Sequence, residues 1–167
     1  MGAMNDEAMS SGHEPAGRAL GVDLGSVRIG LALSDPTRTV ASPHSVLTRA
    51  RTHADDHHAI VELARTNGAT TIVVGLPLSL SGGRGPAARA AEHEIDELRT
   101  AAGPDVAVVA HDERLTTITA ERTLDEAGVR RADRTAVVDK VAAAVMLQAW
   151  LESPAARATI SGTTRTR

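Results

Sequence analysis

Apolar and polar positions fall into short runs with two different periods along this chain. Arg18 to Asp23 alternates into a short apolar run, Gly25-Ser26 follows as a turn where a positive φ is tolerated, and Val27 to Leu33 runs back, so the stretch reads as a β-hairpin. Thr37 to Leu47, with Val40, Val46 and Leu47, predicts a third strand, and Pro43 places it at a sheet edge because proline cannot donate to the ladder. The period then changes. Thr52-His53-Ala54-Asp55 resembles a capping box, and Ile60, Leu63 and Ala64 form a helical stripe that stops at Gly68. Thr70 to Gly75 is a β-branched run suited to a buried strand, reached by a helical crossover and therefore parallel to a neighbour.

A glycine loop from Ser79 to Pro86 leads into a helix with Ala87, Ala91, Ile95, Leu98 and Ala102 on one stripe, ended by Gly103-Pro104. Val106 to Ala110 predicts the next buried strand, running into the polar cluster His111 to Thr117. Thr117, Ala120, Leu124 and Ala127 mark a further helix, and Val129 to Arg134 a mobile basic loop. The last helix, Ala136 to Leu151, is expected to pack Val138, Val141, Ala142, Val145 and Ala149 and to carry Asp139 in its first turn. Three antiparallel strands followed by alternating helix and strand predict an α/β fold, a mixed five-stranded sheet with helices on both faces.

Composition narrows the setting. The 167 residues suit one domain, read as 18–152, with a flexible leader at 1–17 and a polar, disordered tail at 153–167. There is no cysteine, no apolar run of membrane-spanning length and no apolar block in the leader, so a cytoplasmic protein without membrane association is expected. The formal net charge of -3 argues against coating nucleic acid through bulk electrostatics but leaves room for a local basic groove. With Trp150 as the only aromatic residue of the Phe, Trp, Tyr set, there is no platform for stacking bases, so a nucleic acid would be held by its backbone and shape.

Three acidic residues occupy comparable places: Asp23 ending a strand, Glu113 just after another, Asp139 at the start of a helix. Each has an ordinary explanation, as a turn acid, a partner for Arg114 or Arg122, and a favourable charge at a helix N-terminus. Together they are the oxygen donors that Mg²⁺ or Mn²⁺ takes, and a pair of such ions would suit phosphodiester hydrolysis. In this strand order they describe an RNase H-like nuclease. The loop carrying Gly82, Gly83, Arg84 and Gly85 offers free backbone amides and a guanidinium to a phosphate. Arg130, Arg131 and Arg134 add a basic segment. His53, Asp55, Asp56, His57 and His58 could be a zinc site, but at the start of an amphipathic helix they read better as a solvated face.

Several segments together are similar to one known family. Gly21-Val22-Asp23-Leu24-Gly25 with Arg28-Ile29-Gly30, Val74-Gly75-Leu76-Pro77, Asp112-Glu113-Arg114-Leu115-Thr116-Thr117 and Asp139-Lys140-Val141-Ala142-Ala143 resemble the YqgF/RuvX family, in its order and spacing, over about Arg18 to Glu152. That family is a Holliday junction resolvase-like group associated with maturation of the 5′ end of pre-16S rRNA. The resemblance implies an RNase H-like fold with Asp23, Glu113 and Asp139 as both the catalytic and the metal-binding triad. It further implies substrate contacts from Arg28, Arg114, Thr116, Lys140 and the Gly82 to Pro86 loop. Nucleic acid, as pre-rRNA or structured DNA, is the expected partner, with ribosomal particles in view, for a monomer or homodimer. RuvC-type resolvases carry a further aspartate one turn along the last helix, where this chain has Ala142 and Ala143, a departure that favours RNA processing over junction resolution.

Two other classes compete. Sugar kinases, actin and chaperone ATPases share an Asp-x-Gly hairpin but need two such domains. A binding module that kept the fold and lost the chemistry would not need all three carboxylates.

Overall fold

The computed structural model describes residues 17–79, 81, 83–112 and 134–162. Strands β1 (Arg18–Leu24), β2 (Arg28–Ser34) and β3 (Ala41–Thr48) form an antiparallel meander, followed by helix α1 (His53–Thr66), strand β4 (Ala69–Leu76), helix α2 (Pro86–Ala102) and strand β5 (Ala107–Asp112). Helices α3 (Arg134–Leu151) and α4 (Pro154–Gly162) complete the described chain. The sheet is five-stranded and mixed, in the order β3-β2-β1-β4-β5, with β4 parallel to both β1 and β5. This is the mixed five-stranded α/β arrangement expected from the strand and helix periods.

Side-chain alternation assigns the two faces. Leu20, Val22, Ile29, Leu31, Ile72 and Val74 pack with Ile60, Ile95 and Leu98 of α1 and α2. Ala19, Ala32 and Val73 pack with Ala143, Met146, Leu147 and Trp150 of α3. The second face is the one that carries the carboxylates, since Asp23 lies two residues beyond Gly21, where an added Cβ would stand 2.8 Å from Leu147 and 3.1 Å from the Ala143 carbonyl oxygen. At Gly30 the approach is closer still: an added Cβ would stand 2.0 Å from the Asp139 carbonyl oxygen. Glycine at these two positions lets the α3 backbone lie almost on the strands.

The edge position of β3 is as Pro43 requires, with a register irregularity between Leu31 and Ala32 where Pro43 pairs. Thr52 caps α1, its hydroxyl accepting from the Asp55 amide at 3.2 Å. Five expectations change. Neither Gly25 nor Ser26 takes a positive φ; Gly25 is needed because a Cβ there would stand 2.4 Å from the Arg28 carbonyl oxygen. Strand β5 runs on through His111 and Asp112, because pairing with Gly75 and Leu76 continues past the apolar run. Helix α3 starts at Arg134, which places Asp139 in the second turn and Arg134 inside the helix, not the loop. A charge so placed is beyond the turn where the helix dipole acts strongly.

The buried face of α3 is also not the predicted one. Ala143, Ala144, Met146, Leu147, Trp150 and Leu151 are buried, whereas Val138, Val141, Ala142, Val145 and Ala149 are half-buried. An apolar helix surface with little polar interruption leaves its periodicity unable to choose a face. Finally, Pro154–Gly162 is helical where a disordered tail was expected, with Ala156 buried. The helix predicted from Thr117 and the basic residues 129–133 lie outside the described residues, as does the leader up to residue 16.

Candidate active site

Asp23 stands near the end of β1 and pairs in register with Gly30 of β2. Because Gly30 has no side chain, the α3 backbone at Asp139 comes down over this pair. The two carboxylates are thereby brought together from positions 116 residues apart in the chain, by their own numbering. Burial, with the nearby negative charge of Asp139 as a second cause, pushes the Asp23 carboxyl up from 3.8 to about 6. A site that resists its own ionisation in this way is one that a cation would stabilise.

Asp139 has a counter-charge of its own. Arg28 Nε donates to Asp139 Oδ2 at 2.7 Å, with the two side chains 33% and 26% exposed. Arg28, expected as a substrate contact, therefore holds a carboxylate of the candidate site. A partly exposed pair of this kind contributes little to stability and can be exchanged for another partner.

The row of residues in which Asp23 sits continues across the sheet. Val22 pairs with Val74 and Gly75 pairs with His111, so Asp23, Gly75 and His111 follow one another on β1, β4 and β5. Val109 packs toward the α3 face, and His111, two residues on, points the same way. Burial lowers the His111 imidazole below its ordinary value, partly opposed by the Asp112 charge, so it is neutral near pH 7. His111 was not among the residues singled out for the site; its place in a polar cluster at a strand end was the available signal.

The remaining expected residues divide. Lys140 follows Asp139 on α3 and is half-buried. Arg84 is exposed and its Nε lies 3.2 Å from Glu92 Oε1. The expectation of free amides in the glycine loop is corrected at Gly83, whose N–H donates to Ser79 Oγ at 2.8 Å. Gly85 caps α2. Glu113, Arg114, Thr116, Arg130, Arg131 and Gly82 lie outside the described residues, as does the side chain of Arg134. The residues from His53 to His58 do not converge: Asp56 accepts from Arg49, Asp55 from Thr52, and His53 faces Glu97. Among the described residues no three His, Asp or Glu side chains form a metal-binding group. Asp23 and Asp139 supply two oxygen donors of the right chemistry for a hard divalent cation.

Comparison with known proteins decides the family. The model of the RuvX family, described as Holliday junction resolvase, matches residues 17–153. The chain belongs to the RuvX family. Its curated relatives include proteins named "Putative pre-16S rRNA nuclease" from Kineococcus radiotolerans, 47% identical over 82% of this chain and 72% of that one. Others of the same name come from Nocardia farcinica, 43% identical over 84% and 80%, and from a Roseiflexus species, 42% identical over 82% and 95%. A solved structure of Thermus thermophilus RuvC in complex with a Holliday junction substrate is 17% identical with a TM-score of 0.48, over 81% of this chain and 96% of that one. RuvX membership carries the nuclease class, and no helix among the described residues is long and apolar enough to cross a membrane.

Proposed function

We propose that this RuvX chain is a divalent-metal-dependent nuclease that hydrolyses phosphodiester bonds in maturation of the 5′ end of pre-16S rRNA. The observation that carries the reading is the half-buried Asp23 carboxyl, raised to about 6, with Asp139 set beside it by the close packing of α3 on Gly30. Asp23, Asp139 and Glu113 would hold Mg²⁺ or Mn²⁺. Such ions supply an activated water and stabilisation of the leaving oxygen. The chain's own residues orient the substrate: Arg28, released from Asp139, Arg84 and the basic residues Arg130, Arg131 and Arg134 present guanidinium forks to phosphate oxygens. Names of the relatives favour precursor rRNA as substrate. Ala142 and Ala143 supply no further acid there, and Ala143 is fully buried with its carbonyl oxygen facing Gly21 of β1.

The test is cleavage of labelled precursor rRNA, linear DNA and a four-way junction in Mn²⁺ by the wild type and Asp139→Asn. Metal-dependent cutting of the precursor, lost in the variant, is expected. Equal cleavage after EDTA treatment, or a variant that melts earlier yet cuts normally, overturns the metal mechanism. Preferential cutting of the four-way junction would transfer the chain to junction resolution.

A further inference from the structure

On the sheet face away from α3 lies a second group of charged side chains that the proposed chemistry does not use. Arg49, in the link between β3 and α1, is 15% exposed, and its two carboxylate partners, Asp56 of α1 and Glu94 of α2, are 3% and 8% exposed. The Arg49 guanidinium donates from Nη1 to Asp56 Oδ2 at 3.1 Å and from Nη2 to Glu94 Oε2 at 3.1 Å, with a further short contact from Nη1 to Glu94 Oε1. Asp56 Oδ1 also accepts from the Ala50 amide at 2.8 Å. His57 Nε2 is buried 3.5 Å from Glu94 Oε1 and makes no hydrogen bond to any described residue. Burial alone would push Glu94 up, but the Arg49 hydrogen bonds and charge outweigh it and hold the carboxyl below its ordinary value.

The third guanidinium nitrogen of Arg49, Nε, points elsewhere, and its direction is informative. Nε donates to the Gly25 carbonyl oxygen at 2.9 Å, while the Arg49 backbone N–H donates to the Val27 carbonyl oxygen at 2.9 Å. Gly25 in turn donates its own N–H to the Asp23 carbonyl oxygen at 3.1 Å. A single residue therefore grips both sides of the β1–β2 turn, and does so from a guanidinium fixed by carboxylates on two different helices. A buried ion network of this type is a weak means of gaining stability, since apolar side chains of the same volume often serve as well or better. It does specify one geometry, because the planar fork satisfies its partners only in one orientation.

We propose that Arg49 is a positioning residue for Asp23, holding the turn that follows it against α1 and α2 so that the carboxylate meets Asp139 in one fixed place. The proposal rests on the metal-dependent reading of the site, and its tests separate the two. Among the described residues, Arg49 makes its side-chain contacts with Gly25, Asp56 and Glu94, and with neither Asp23 nor Asp139.

The experiment compares the full-length wild type with Arg49→Lys, Arg49→Met and the triple variant Arg49→Met, Asp56→Asn, Glu94→Gln. Arg49→Met alone strands two buried carboxylates and is expected to melt early. The triple variant removes those charges while keeping the acceptor for the Ala50 amide, and should recover most of the melting temperature. Three measurements then bear on positioning: amide hydrogen exchange at Gly25, the Mn²⁺ concentration for half-saturation, and kcat and KM for labelled precursor rRNA. In the triple variant exchange at Gly25 should be faster, more Mn²⁺ should be needed, and kcat should fall about 10- to 100-fold with KM unchanged, as for a displaced reacting group. Arg49→Lys, which keeps the charge but lacks the fork, should fall between this and the wild type. A folded triple variant with wild-type exchange, Mn²⁺ requirement and kcat overturns the proposal, as does Arg49→Lys indistinguishable from wild type should the triple variant fail to fold. A wild type that neither binds Mn²⁺ nor cleaves refutes the proposed function, while unchanged Gly25 exchange refutes the clamp on its own account.

Discussion

Gly30 lies directly under the backbone of Asp139, with only 2.0 Å between the place a Cβ would occupy and the Asp139 carbonyl oxygen. The contact sets the height of α3 over the sheet and so the separation of Asp139 from Asp23, which is Gly30's partner in the ladder. Gly30→Ala should force the helix away, costing roughly 1–3 kcal/mol or more, as overpacking does. Cleavage should fall further than stability alone explains. Urea unfolding and Mn²⁺-dependent cleavage of the same variant check this; a variant of normal stability and activity would show that the helix gives way without moving Asp139.

The Asp23 carboxyl, raised from 3.8 to about 6, ties stability to pH in metal-free protein. The folded state holds this proton more tightly than the unfolded chain, so the contribution is fully present below about 4 and is lost as pH rises through about 6. The loss is at most about 3 kcal/mol. Asp23→Asn should therefore be more stable than wild type at pH 8 and nearly equal to it at pH 4, as read from unfolding midpoints in EDTA. Metal binding should weaken in the wild type below pH 6, where protons compete for the same oxygen.

Arg28 and a bound cation would compete for Asp139, because Nε of the guanidinium already occupies Oδ2 at 2.7 Å. Arg28→Gln should lower the Mn²⁺ requirement, by roughly two- to fivefold for a pair worth up to about 1 kcal/mol. KM for nucleic acid should rise if the freed guanidinium holds a phosphate. A Mn²⁺ titration at fixed substrate and a KM measurement at saturating Mn²⁺ separate the two effects.

His111 faces the same side of the sheet as Asp23 with Gly75 between, and from there its imidazole would reach a substrate strand laid along that face. His111→Ala should raise KM severalfold at unchanged Mn²⁺ requirement. His111→Gln, which can still donate, should restore most of it. Identical loss in both variants would assign His111 to packing.

Much of this was legible in the sequence. The hairpin, the edge strand marked by Pro43, the capped helix α1 and the parallel strand β4 all follow from local rules of turn chemistry and period. Asp23 was readable because a lone acid at the end of an apolar strand needs a reason. Asp139 was readable as an acid at the start of a helix, but its expected place in a first turn was displaced when α3 began at Arg134. The buried side of α3 was illegible for a physical reason: both its faces are apolar, so only packing selects one. His111 was passed over because an apolar run ends at Ala110, while ladder pairing does not depend on side-chain polarity.

The sequence by itself determined the strand and helix order, the family and the identity of the acidic candidates, since these rest on residue types and spacings within a few positions of one another. The tertiary structure decided what lies opposite what: Asp139 over Gly30, Arg28 on Asp139, and Arg49 joining carboxylates of two helices to the Gly25 carbonyl. Those relationships join segments from 24 to 111 residues apart. No local preference encodes them, because they arise only when the sheet register and the helix docking are settled together by burial of the whole core.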